Sequence, residues 1–136
     1  MTDNSKAWAL TVLRVVVGIV FLKHGWMKVF TFGLHGVTGM LTMLHIPFPP
    51  VSAFVLTWVE FLGGLALILG VGTRVAAALL AFDMLVAVLK VHLKNGFFLP
   101  MGYEFALTLL AANICLLLAG AGATSIDRIL QKKQPA

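Results

Sequence analysis

The sequence predicts an all-α integral membrane protein: four helices in up-down-up-down order, with a short amphipathic helix between the first and second. Three observations carry this. Of the 136 residues, 60% are apolar and only 11% are charged, and a globule this small cannot hide so much apolar surface from water. Apolar runs of about 20 residues, the length that spans a bilayer core, recur four times along the chain. The links joining the later runs are so short that successive helices must be antiparallel neighbours.

The first run covers residues 7–27 and includes WALTVLRVVVGIVFLKHGW. The preceding MTDNSK has no basic region or small-residue cleavage site, so this run reads as a retained helix and not a signal peptide. The second run covers residues 52–71, after the breaker cluster PFPP; GVGTR then leads into the third, residues 74–92. LKNGFFLP leads to the fourth, residues 101–120, which ends at GAGA. Between the first two runs, Val37, Met40, Leu41 and Leu44 recur at spacings of three and four, the pattern of a short helix lying in the membrane interface or over the bundle mouth. The whole chain, 1–136, reads as one transmembrane domain.

Charge places the termini. Lys6, Arg74, Arg128, Lys132 and Lys133 fall on the terminal side, and Lys23, Lys28, Lys90 and Lys94 on the other. The positive-inside rule leans towards cytoplasmic termini in a cell (inner) membrane, by five to four. The formal charge of +5 suits lipid headgroups, since no basic patch with interleaved aromatics suggests nucleic acid. The single cysteine, Cys115, excludes an internal disulfide and any CxxC motif.

Charges at membrane depth are costly and mark functional sites by default. On the first helix Arg14, Gly18, Phe21, Gly25 and Lys28 share one face, where the glycines allow close helix approach or leave room for a flat ligand. Glu60 on the second helix, Asp83 on the third and Asn113 on the fourth lie deeper in the bundle. Lys23, His24, Lys28, Lys90, His92, Tyr103 and Glu104 gather at the end away from the termini. Of these, Lys23 and Lys90, together with Lys94 nearby, read as headgroup anchors. Lys28 is expected to turn inward towards His92 and Glu104.

Arg14 with Glu60 or Asp83 reads equally well as buried ion pairs that set helix register. His35 and His45 read as solvated or interfacial, and Met40, Met43 and Met101 as packing. His24 and His92 sit near one membrane level, but no HxxxH or Glu-x-x-His spacing accompanies them and the nearby lysines disfavour a metal, so haem and metal ligation are not expected. Histidine, lysine, tyrosine and glutamate around an aromatic, glycine-lined cleft suit a quinone head group, which needs donors to its carbonyls and a base for its protons. His92 and Glu104 would then be catalytic. His24, Lys28 and Tyr103 would bind the ligand, and Arg14, Glu60, Asp83 and Asn113 would form the polar core. No flavin, haem or iron–sulfur motif is visible, so the redox cofactor would come from a partner protein.

Read together, these pieces resemble the DoxX family of small four-helix membrane proteins over nearly the whole chain. The resemblance rests on Arg14-x3-Gly18-x2-Phe21-x3-Gly25-x2-Lys28, HIPFPP and EFLGGLALILGVGTRVAA, then on His92 with GFF, Tyr103-Glu104 and GAGATSID. His45, in place of a turn glycine, and Ala123-Thr124 depart from the family pattern. The resemblance implies a membrane subunit of an oxidoreductase system, since one relative serves in a thiosulfate:quinone oxidoreductase and others are tied to quinone or catechol stress. Two further readings stand beside it: a non-catalytic scaffold or assembly subunit whose charges are structural salt bridges, and a proton or small-molecule conduit. The glycine faces suit packing within the bundle or between copies of a homo-oligomer.

Overall fold

The structure is a computed structural model and describes residues 2–132. These are helical, with no strand among them. Helix α1 (Asp3–Met27) opens on a Thr2 cap whose hydroxyl accepts from the Ser5 amide, with Asp3 in the first turn. These are the groups that satisfy the free amides and favourable dipole end of a helix. The chain does not break after Met27. It widens into a π-helical stretch, Lys28–Phe32, and continues as α2 (Gly33–Met43). The first span and the connecting helix thus follow one another without a loop, Asp3–Met43, and are interrupted in backbone geometry only at Gly33, where φ is +67.

After a turn through His45 and Phe48, both with positive φ, α3 (Pro49–Leu69) begins with proline in its first turn, where a missing N–H costs nothing. It ends on Gly70 at φ +70. A Cβ there would lie 2.5 Å from the Cβ of Ser125, so both conformation and space require glycine. Helix α4 (Thr73–Val86) runs on through a π stretch (Ala87–His92) and a 3-10 turn (Leu93–Asn95). Helix α5 (Glu104–Ala119) and the short α6 (Ile126–Lys132) follow.

Three runs, Asp3–Met43, Pro49–Leu69 and Thr73–Asn95, are long and apolar enough to cross a membrane, while Glu104–Ala119 is apolar but shorter. Many large apolar side chains point outward, among them Val12, Phe54, Val75, Phe82 and Leu118. A lipid-facing surface has this composition.

Inside, Val17, Phe21, Leu67, Leu80, Leu109 and Leu116 form the core. A smaller cluster of Val37, Leu41 and Ala53 packs α2 on the start of α3, leaving Met40 partly exposed. Helices α1 and α3 approach to backbone contact. A Cβ on Gly18 would come within 2.8 Å of the Gly64 carbonyl, and one on Gly25 within 2.5 Å of the Phe61 backbone. The glycines thus serve close approach, and the sequence alternative of room for a ligand does not hold along this seam.

Candidate functional site

The face of α1 singled out by its spacing is the one the helix buries: Thr11, Arg14, Val17, Gly18, Phe21 and Gly25. Its two cations meet different fates. Arg14 does not pair with Glu60 or Asp83. Its side chain, 2% exposed, donates from Nε to Ala121 O at 2.9 Å. Nη1 donates to Ile68 O at 2.8 Å and also to Leu67 O, and Nη2 donates to Thr124 O. Helix C-termini leave carbonyls without partners, and the planar guanidinium supplies the donors they need. Arg14 therefore clamps the end of α3 to the 121–124 segment.

The rest of that segment is tied down equally well. Thr11 Oγ1 accepts from the Ala123 amide at 2.9 Å, and Ala123 N also donates to Ala7 O. Asp127 accepts from Gly72 N at 2.7 Å and Thr73 N at 2.9 Å. Gly72, the N-cap of α4, has no side chain of its own for this purpose, so α6 supplies the cap across the fold. Desolvation would raise the Asp127 pKa. The two amide bonds, with help from the Arg14 charge, outweigh it and hold the carboxyl below its ordinary value.

Lys28 turns inward, but not to His92 and Glu104. Helical side chains lean towards their own N-terminus, so Lys28 Nζ reaches back down the bundle and forms an ion pair with Glu60 Oε2. The Glu60 residue is 4% exposed. Asp83 on α4 brings a second carboxyl into the neighbourhood of Glu60 and of the Lys28 ammonium, without a hydrogen bond or ion pair to either. Asp83 Oδ2 is buried and has no partner among the described residues; the same is true of Thr57 Oγ1, which lies about one turn from Glu60 on α3. Three helical segments thus bring one ammonium and two carboxyls together inside the protein, with oxygens beside them that have no partner among the described residues. Asn113, fully buried, donates to Leu109 O at 2.8 Å and leaves Oδ1 unpaired.

Among the described residues, no hydrogen bond or ion pair joins His24, Lys28, His92, Tyr103 and Glu104 to one another. His92 Nδ1 meets Met101 O at 3.0 Å, and Glu104 Oε1 accepts from the Leu99 amide at 2.7 Å, so both strap the 93–103 loop. Tyr103 packs its ring edge-on to Phe97 at 5.3 Å. His24 is exposed and bonds Val20 O of its own helix, with its ring 6.3 Å from that of Phe105. Lys23 is exposed, as are Lys90 and Lys94. Lys133 lies outside the described residues.

Sequence reasoning missed the clamp and the cap. Backbone carbonyls leave no residue-type signature for Arg14 to match, and the available signal for Asp127 was its position in GAGATSID, a motif with no role assigned. Each member of the Lys28–Glu60–Asp83 cluster was singled out, though not as one group.

Several apolar helices that enclose a buried lysine–carboxylate cluster define a small polytopic membrane protein. The DoxX family profile matches residues 9–93. The chain belongs to the DoxX family. It is 33% identical over 122 residues to a Bacillus subtilis protein named "Putative oxidoreductase CatD", covering 88% of this chain and 85% of the relative. "Inner membrane protein YqjF" of Escherichia coli is 33% identical over 124 residues, 90% of this chain and 92% of that one. "Uncharacterized membrane protein Rv3486" of Mycobacterium tuberculosis is also 33% identical, over 91% of this chain and 82% of the relative. No solved structure matches.

Proposed function

We propose that this protein is the membrane subunit of an oxidoreductase system, and that the Lys28–Glu60–Asp83 cluster handles protons for a quinone or similar small redox ligand. The observation that carries the reading is the pair of carboxyls facing one ammonium, with an unpartnered carboxyl oxygen at membrane depth. Two carboxyls against one ammonium leave a negative charge that a bilayer core penalises heavily, and a proton held between the carboxyls restores neutrality. A quinone moves protons together with electrons. This chain's contribution is the protons, and a partner protein's cofactor would carry the electrons. The name of the Bacillus relative supports the redox setting. In this reading the proton-handling role given to His92 and Glu104 passes to Glu60 and Asp83, because the first pair is spent on a loop.

The arrangement goes with an up-down-up-down bundle in which α5 completes the four spans as a single domain, the helix of residues 33–43 lies at the interface, and the membrane is the inner one. With Lys28 neutralised by Glu60, the described basic residues facing water are Lys6, Arg74, Arg128 and Lys132 at one end and Lys23, Lys90 and Lys94 at the other. That asymmetry favours cytoplasmic termini.

The test is binding of a short-tailed quinone to the purified full chain, read by quenching of tryptophan fluorescence. Asp83→Asn and Glu60→Gln are expected to weaken binding at least about tenfold. Unchanged binding in both variants sinks this reading. A second reading, a scaffold whose buried charges are structural, is favoured by the saturated bonding of Arg14 and predicts no quinone binding together with lost stability in the same variants.

A further inference from the structure

A second site lies at the opposite end of the molecule, outside the machinery above. The first turns of α1, the 123–125 segment and α6 flank an open cleft of about 470 Å³. Its walls include Asn4 and Trp8 from α1, Thr124, and Arg128, Ile129 and Lys132 from α6. Asn4 and Trp8 are four residues apart, as are Arg128 and Lys132, so each helix presents one face to the cleft.

The charges are unbalanced. Like charges four apart on a helix repel, and α6 is too short to absorb that cost by its own propensity. The only salt bridges among the described residues are Asp3–Lys6 and Lys28–Glu60. Asp127, the acid on α6, is occupied by the Gly72 and Thr73 amides and does not line this cleft. Arg128 spends Nη1 on Ala123 O at 3.0 Å, and its other nitrogens have no partner among the described residues. Opposite stands Trp8, half exposed, a side chain suited to the headgroup level of a bilayer. Ile129 supplies an apolar wall.

We infer that this cleft binds a phosphate-class anion, the phosphodiester of an anionic phospholipid or a free phosphate, between Arg128 and Lys132. Arg128 offers its free guanidinium donors and Lys132 its ammonium. Trp8 and Ile129 flank the glycerol region when the phosphate belongs to a lipid. The site is independent of the quinone reading, since it shares no residue with Lys28, Glu60 or Asp83.

Native mass spectrometry of the detergent-purified full chain tests it. The probes are phosphatidylglycerol and phosphatidylcholine with identical acyl chains, and inorganic phosphate. Two surface cations at about 1 kcal/mol each favour phosphatidylglycerol by roughly thirtyfold. Arg128→Gln with Lys132→Gln brings its retention down to that of phosphatidylcholine, whereas Arg128→Lys with Lys132→Arg retains the preference. Lys90→Gln, an exposed lysine at the other end of the molecule, leaves it unchanged, and circular dichroism confirms that each variant keeps its helix content. Displacement of phosphatidylglycerol by millimolar inorganic phosphate supports the site and assigns it to the free anion. Resistance to phosphate assigns it to the lipid. Equal retention of the two lipids by the unaltered chain, or an unchanged preference in the double glutamine variant, overturns the proposal.

Discussion

Arg14, on α1, and Lys28, the first residue past its end, sit about four turns apart along one face, and each is a cation within an apolar bundle. Arg14 is saturated: its guanidinium meets four carbonyls from α3 and the 121–124 segment. Lys28 meets one carboxyl, and beside that pair stand a second carboxyl and a threonine hydroxyl with oxygens that have no partner. A buried polar group whose capacity is filled rigidifies a fold, whereas one left partly unfilled is expensive and needs a reason to persist. The difference separates a structural charge from a candidate chemical one more sharply than burial does, since Arg14 and Glu60 are both buried.

Substitutions can break the comparison, beginning with the largest expected effect. Arg14→Leu strips the donor from four carbonyls, and with hydrogen bonds to a charged group worth about 1.5–3 kcal/mol each the chain should fail to reach a stable fold. A normal thermal melt in detergent would contradict the clamp. Lys28→Met leaves two carboxyls facing each other in the bundle and should cost about 3–5 kcal/mol. Adding Glu60→Gln should return much of that, and a double-mutant cycle with no coupling would show that the pair is not formed.

Asp127→Asn should cost about 1 kcal/mol through the weakened cap of α4. Because the folded pKa is depressed, the carboxylate's contribution is present above its unfolded value of about 4 and is lost as pH falls through the lower folded value. Acid melts of the unaltered chain should therefore show a stability loss below about pH 4 that Asp127→Asn reduces. Asp83→Asn should change stability least, by no more than about 1 kcal/mol, while removing ligand binding. If it destabilises as much as Lys28→Met, the cluster belongs with Arg14 among the structural charges.

The helical architecture and the inward face of α1 were legible because hydropathy and the 3.6-residue period are local properties. Pairing was not. Lys28 was directed towards His92 and Glu104 by membrane level, but a helical side chain leans towards its own N-terminus, which places the ammonium beside Glu60 instead. His92 and Glu104 do lie at one end of the molecule. What the sequence conceals is that the 93–103 loop needs its own backbone bonded and consumes both side chains. The π stretch beginning at Lys28 was also invisible, since its residues, KVFTF, read as ordinary helix. Helical spacing extrapolated past that point loses its register.

The Arg14 clamp also has a history in time. Its carbonyl partners at Ala121 and Thr124 are 107 and 110 residues downstream. During synthesis the guanidinium enters the bilayer with α1 long before those carbonyls exist, and until α3 arrives it has none of its final acceptors. The chain must shelter that charge at the insertion machinery or the membrane surface for most of its own translation. A ribosome stalled before residue 121 should therefore present α1 in a looser, more accessible position than the finished protein does.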